Sequence, residues 1–421
     1  MIGTVTALAA VILAVLLSAA PTTQAAITFV ADLGANEANG ILVATPLSIT
    51  TVAPAPAGAS IIIVASSRST EASGPSSAAC SDSAGHTYTT DKSQASPVAL
   101  TSICATHQIS ATLSAGATLT VTWTGGAFPL NQRARAFAVT GLASTPLDQT
   151  ASATGTSGSP SSGATTTTTR ADELLVGAIN DDDSVNVAGA SFSPGSNGTA
   201  NTCATSGSPT YTALGGVGSD VSALFGMYCI VAATGAYRAQ ATLFNTPRWE
   251  ALLATYKALL APPTIAKVFG ATSVNTNATT TLTFTLSNPN VGTPLTGVGF
   301  TDTLPAGLVV ATPNGLTGSC GGGTITATAG TNTISLAGAT LAGGASCTFT
   351  VSVTATAAGT QVNTTTAVTS VEAGPGNTAT ATVTVATPSV PALSSFGQAL
   401  VVLIVVLSGL LFLRRRLSPG R

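Results

Sequence analysis

"TTLTFTLSNP", Thr280 to Pro289, decides how the second half of the chain folds. Leu282, Phe284 and Leu286 fall on one side of an extended backbone, and Thr281, Thr283 and Thr285 on the other. That period of two belongs to a strand with one buried and one wet face. The pattern recurs downstream. "SCTFTVSVTA" (Ser346–Ala355) sets Cys347, Phe349, Val351 and Val353 against Thr348, Thr350 and Ser352. "NTATATVTVA" (Asn377–Ala386) sets Ala379, Ala381, Val383 and Val385 against threonines. β-branched Thr and Val favour the extended state. Roughly seven such strands over about 120 residues predict an immunoglobulin-like sandwich over 264–386. The apolar parity of Cys347 turns it inward, where it can bridge to Cys320 of the "SCGGG" turn.

Upstream, "LLAPPTIAK" (Leu259–Lys267) marks a boundary, because Pro262 and Pro263 stop a strand and stiffen the join. Residues 26–260 form the first domain and 261–263 the linker. "GASIIIVASS" (Gly58–Ser67) reads as a buried strand. "CSDSAGHTYT" (Cys80–Thr89) reads as a strand, a glycine turn and a returning strand. "ATLTVTWTG" puts Leu119, Val121 and Trp123 on one face, and "RWEALLATYK" (Arg248–Lys257) closes the domain. Ten or more short strands over about 230 residues predict a two-sheet sandwich of jelly-roll type.

The two ends differ from this all-β interior. Thr4 to Ala20 is apolar and is followed by small residues at cleavage spacing, Thr23 and Ala25, which predicts a signal peptide over 1–25. No Lys or Arg precedes that run; the first basic residue is Arg68. A second Pro-containing joint covers 387–392. Leu393 to Leu413 then carries no formal charge and predicts a transmembrane helix, about 30 Å long when helical. Arg414, Arg415 and Arg416 follow at once, and 414–421 reads as a basic cytoplasmic tail. The chain between the two apolar segments is therefore expected outside the cytoplasm, bound through its C-terminal span before any processing.

Only 7% of the 421 residues are charged, 13 basic and 15 acidic. Removing Arg414, Arg415, Arg416 and Arg421 leaves nine basic against 15 acidic residues, so the exported part is net negative. That excludes a nucleic-acid partner, which requires a basic face. The six cysteines fall as neighbouring pairs, Cys80 with Cys104, Cys203 with Cys229, and Cys320 with Cys347. An even count in an exported chain predicts disulfides, and each pair spans one hairpin-sized interval.

Three parts of the chain carry a family resemblance. "FTDTLPAGL" (Phe300–Leu308) and "GASCTFTVSVT" (Gly344–Thr354), within 262–386, resemble a conserved-repeat Ig-like domain of unknown function found in bacterial surface proteins. The resemblance implies a stalk or structural module without enzyme activity. "VPALSSFGQALVVLIVVLSGLLFLRRR" (Val390–Arg416) is similar to the C-terminal protein-sorting segments of Gram-negative surface proteins. The similar subtype reads Ile-Pro-Thr-Leu where this chain has Val390, Pro391, Ala392 and Leu393. That resemblance implies a membrane-bound processing enzyme as partner. The first domain resembles a β-sandwich module of exported bacterial proteins, to which no activity attaches.

Candidate chemistry is sparse. His86 and His107 can each be drawn with Asp82 or Asp91 and one of many serines, but no G-x-S-x-G elbow accompanies them, and no catalytic residue is assigned. Asp181, Asp182 and Asp183 in "NDDDSVN" form an oxygen-rich candidate for calcium, without EF-hand spacing. Asp172, Glu173 and Glu250 are the carboxylates a surface-polymer hydrolase would use. Trp249 is the platform on which a carbohydrate-binding reading rests, Trp123 being on an apolar parity. Lys267 in the first strand of the second domain, Asn377 opening its last strand, and Asp302 between them could form an internal Lys–Asn amide bond, the neutral amine acting as nucleophile. The sequence therefore predicts a non-enzymatic, cofactor-free surface protein, structural or adhesive, contacting surface glycans or matrix proteins.

Overall fold

The computed structural model describes residues 26–43, 45–70, 73–127, 130–181, 193–194, 211–219, 222–243, 248–388 and 395–416. The predicted signal peptide, the sorting residues Val390, Pro391 and Leu393, Asp182, Asp183 and Cys203 lie outside these residues. The described chain is all-β apart from one C-terminal helix.

The first half is organised by a central antiparallel sheet that is apolar on both faces. Its strands run in the order Thr28–Ile41, Leu130–Thr140, Ser60–Ser69, Ala99–Thr106, Thr89–Ala95. Ser60–Ser69 is buried at every position but Arg68. Ile61 and Ile63 enter one core, and Ile62 and Val64 the other. Neighbouring strands divide in the same way: Leu100 and Cys104 against Ile103 and Ala105, Ala136 and Ala138 against Phe137 and Val139. A strand covered on both sides has no wet face, so its sequence runs apolar instead of alternating.

One face is covered by a three-stranded sheet, Leu47–Thr50, Thr118–Thr124 and Ser77–Asp82, which supplies Ile49, Leu119, Val121 and Trp123. The opposite face is covered by a five-stranded sheet in the order Thr212–Ser219, Ser222–Ala232, Asp172–Asp181, Arg248–Ala258, Leu142–Thr156. This sheet is also buried twice over. Val176, Leu252 and Tyr256 point to the central sheet, while Leu175, Leu253 and Trp249 pack in a further apolar layer beyond. Among the described residues the expected two-sheet jelly roll is therefore corrected to a stack of three larger sheets, with the two-stranded pair Ser193–Pro194 and Ala241–Thr242 in addition. The physical reason is that the isoleucine run and the "ALLATY" strand each present two apolar faces, which two layers cannot cover.

The second half is a β-sandwich. One sheet orders Thr264–Phe269, Thr279–Ser287, Ser346–Ala355 and Leu308–Val310. It faces a sheet containing Thr324–Ala327, Thr333–Leu341 and Leu295–Thr303. A three-stranded sheet of Ser273–Asn275, Thr380–Ala386 and Gly359–Thr364 completes it, with Ser273–Asn275 parallel to Thr380–Ala386. Thr279–Ser287 pairs Leu282 with Val351 and Phe284 with Phe349. The Phe284 and Phe349 rings stack at 5.1 Å, and Phe300 joins from the facing sheet at 5.2 Å from Phe284. On the outer face, Thr283 and Thr350 hydroxyls meet at 3.1 Å, Thr285 and Thr348 at 3.2 Å, and Ser287 and Ser346 at 2.7 Å. Cross-strand hydroxyl pairs of this kind stabilise a sheet face without charge, which explains why threonine alternates here.

Cys80 is bonded to Cys104 in the first half and Cys320 to Cys347 in the second, with Cα–Cα separations of 6.2 and 5.0 Å. Beside the second bridge, Gly321 has φ +52°, and a Cβ there would overlap the Thr340 carbonyl oxygen. Only glycine fits both demands. Cys229 is buried on Ser222–Ala232.

The C-terminal helix spans Ser395–Arg416. Its described side chains, Leu400 and those of 402–412, are exposed, the large apolar ones at least half so. Among the described residues no helix is long and apolar enough to cross a membrane.

Candidate functional site

The "DSAGHTY" stretch is a local knot around one carboxylate. Asp82 ends its strand, and its Oδ1 accepts from the backbone N–H of Ala84 at 2.9 Å and of His86 at 3.2 Å. Its Oδ2 lies 2.8 Å from His86 Nδ1 and accepts from the Tyr88 hydroxyl at 3.0 Å. An aspartate binding its own following backbone is a turn device. Burial alone would raise the Asp82 carboxyl, but the hydrogen bonds from His86 and Tyr88 outweigh it and hold it below its ordinary value. Burial, then the Asp82 charge, pushes the Tyr88 phenol far up.

His107 forms a second cluster, from a different pair of sheets. Its Nε2 lies 3.8 Å from Asp91 Oδ2, which also accepts from the Tyr256 hydroxyl at 2.8 Å. The His107 ring tilts against Tyr256 at 5.6 Å. Burial pulls the His107 imidazole below its ordinary value, against the opposing charge of Asp91. Asp91 and Tyr256 thereby fasten the edge of the central sheet to the sheet behind it.

Both histidines, with Gln108, Ser110 and Ser144, line one cleft of about 410 Å³. The pairings drawn from sequence, His86 with Asp82 and His107 with Asp91, are brought together. Among the described residues neither imidazole hydrogen-bonds a serine hydroxyl.

The other candidates are placed apart or inside. Glu173 and Glu250 are fully buried, Glu250 accepting from Asn180 at 2.8 Å. Glu173 pairs in register with Lys257 and Asn180 with Glu250, so the two carboxyls sit at opposite ends of one strand pair, roughly 20 Å apart at the usual rise per residue. They do not flank a sugar cleft. Trp249 is 7% exposed, packs over Gly155 and donates from Nε1 to Ser157 Oγ at 3.1 Å. Trp123 is 5% exposed. Neither ring offers a face to a sugar. Asp181 is buried, and among the described residues no group of three or more His, Cys, Asp or Glu could hold a metal ion.

In the second half, Lys267 and Asp302 do meet, and Asn377 does not join them. Lys267 Nζ is 3.0 Å from Asp302 Oδ1, both side chains being wholly buried. Asp302 Oδ2 accepts from Asn363 Nδ2 at 2.9 Å. Asn377 instead clamps the first strand: its Oδ1 accepts from Ile265 N–H at 2.9 Å and its Nδ2 donates to Ile265 O at 2.8 Å. Sequence reasoning missed Asn363, and the only local signal was an amide in a strand whose other residues are exposed or half-buried.

Residues 263–385 match the model of a domain of unknown function, DUF7933. That stretch is the β-sandwich just described, including Lys267, Asp302 and Asn363. No curated protein matches the chain. Among solved structures, the bacterial hydrophobin BslA is 20% identical, covering 31% of this chain and 98% of its own, at a TM-score of 0.22. A non-cellulosomal cohesin from the archaeon Archaeoglobus fulgidus is 13% identical, covering 29% of this chain and 91% of its own, at 0.23. The N-terminal domain of a Streptococcus gordonii adhesin is 10% identical, covering 50% of this chain and 56% of its own, at 0.21. At such TM-scores these likenesses carry no argument about what this chain does.

Proposed function

We propose that the chain is a non-enzymatic protein exported to the cell surface, with a structural or adhesive role. The three-sheet half is the displayed part and the immunoglobulin-like second half its stalk. The C-terminal helix serves as anchor or sorting segment, its exposed apolar side chains seated in the membrane and its end handled by a processing enzyme. The observation that carries this reading is a disulfide in each half, Cys80–Cys104 and Cys320–Cys347, since such bridges persist in oxidising compartments outside the cytosol. The hydroxyl-paired, uncharged sheet face supports a role in contacts that do not depend on charge.

Fractionation of cells carrying the full chain with a C-terminal tag, combined with maleimide labelling, tests the proposal. The expected product sits on the outer side of the cell envelope and takes up maleimide only after reduction and unfolding. Recovery in the cytosol with all thiols reactive once unfolded refutes it.

A further inference from the structure

The core of the second half holds three polar side chains where its pattern calls for apolar ones. Lys267 sits on the inward parity of Thr264–Phe269, between Ile265 and Phe269. Asp302 sits on the inward parity of Leu295–Thr303 beside Phe300. Asn363 is the one buried residue of Gly359–Thr364. The three strands belong to three different sheets. A lone Lys–Asp pair gains little from burial, because desolvation offsets the attraction. Here a third group completes the arrangement: one carboxylate takes the lysine on Oδ1 and the asparagine amide on Oδ2. The amide's other atom, Asn363 Oδ1, is buried without a hydrogen-bond partner. Phe284 walls the site, with Lys267 Nζ 5.9 Å from its ring centre.

We propose that Lys267 and Asn363 become joined by an intramolecular amide bond, formed by the folded chain itself with Asp302 as the proton-transfer group. The inference goes beyond the surface role above and does not depend on it.

In the dry site a proton passes from the lysine ammonium to Asp302 Oδ1, replacing two buried charges by a neutral amine and a neutral carboxyl. Burial already draws the lysine below its ordinary pKa, with the Asp302 charge opposing. A half-turn of the Asn363 amide presents Oδ1 to the carboxyl, which donates to it and polarises Cγ. Nζ adds to Cγ, and the C–O double bond opens with its electron pair on oxygen. Asp302 then carries the surplus proton from Nζ to Nδ2. The Cγ–Nδ2 bond breaks, the carbonyl re-forms and ammonia leaves. The sum is ammonium, carboxylate and primary amide giving secondary amide, carboxylic acid and ammonia. No oxidant or cofactor enters. Asn363 Oδ1 ends with a donor, so the orphaned oxygen is satisfied.

The chain makes the test direct, because Lys267 is the sole basic residue between Lys257 and Arg414. Trypsin applied to the reduced, alkylated and denatured full chain releases the peptide Ala258–Lys267 only when the lysine is free. The proposal predicts that this peptide is missing and that 258–414 appears as one continuous, internally looped species, lighter by one ammonia. Asn363→Ala and Asp302→Asn each restore the peptide, while Asn377→Ala does not. Full release of Ala258–Lys267 from the unaltered chain overturns the proposal, as does loss of the link in Asn377→Ala with its retention in Asn363→Ala. Should a core variant fail to fold, the digest of the unaltered chain decides alone.

Discussion

Glu173 makes the stability of the first half fall as pH rises through neutrality. It lies fully buried in Asp172–Asp181, beside the Asp148 carboxylate. Burial first, and the Asp148 carboxylate beside it second, push its pKa up to about 8. In the unfolded chain the same group ionises near pH ~4.3. Between those values the folded chain holds a proton that the unfolded chain has lost. The contribution is complete below the unfolded pKa and is lost progressively as pH climbs to about 8. At about 1.4 kcal/mol per unit, the shift corresponds to about 3–5 kcal/mol. His107, drawn down by burial, acts with the opposite sign below its ordinary pKa. Asp148 is held low by hydrogen bonds from Glu173 and Thr169 that outweigh its burial, so its contribution is lost only in strong acid. From about pH 6.5 to 8 Glu173 therefore dominates. Urea unfolding at stepped pH, followed by fluorescence of Trp123 and Trp249, reads the effect. The expected result is a falling midpoint across that window and a flat one in Glu173→Gln. Stability that is constant or rising in the unaltered chain, or a slope that survives Glu173→Gln, refutes the reasoning.

Other perturbations test the layers separately. Replacing Cys320 and Cys347 by alanine opens a loop with a sequence separation of 27; chain entropy puts the loss at about 3–4 kcal/mol, readable as a lower urea midpoint of the second half. Ile62→Ala, in the middle of the three-sheet stack, costs about 2–5 kcal/mol; a loss below ~1 kcal/mol would mean that its face is not closed. Tyr256→Phe removes the hydroxyl from Asp91 and destabilises by about 1–3 kcal/mol, measured by thermal unfolding. A glycan array probed with the purified chain and with Trp249→Phe should show no binding that depends on this ring, since Trp249 is enclosed.

Much of the second half was legible because its strands have one wet face. The alternation at Leu282, Phe284 and Leu286 translates directly into which side chains enter the core. The first half was less so. A run such as Ile61–Val64 announces burial but not how many layers cover it, since Leu119, Val121 and Trp123 close one side while Val176 and Leu252, more than a hundred positions away, close the other. The Asp82 knot is local and could be suspected from the "DSAGHTY" spacing. The Lys267 cluster was half readable. A lysine at an inward position and an aspartate at another stand out against an apolar pattern, whereas Asn363 and Asn377 look alike until the strands are placed side by side. Which amide faces the carboxylate is a tertiary fact.

The parallel strand pair in the second half bears on how it responds to pulling. Ser273 lies opposite Thr384 and Asn275 opposite Ala386, one strand near the upstream end of this half and the other at its downstream end. Opposed tension on the two ends makes these strands slide along one another, so that every rung between them is strained in shear at the same moment. An antiparallel hairpin at the same place would open one rung at a time, like a zipper, under far smaller force. This parallel pair is thus laid out as a mechanical clamp.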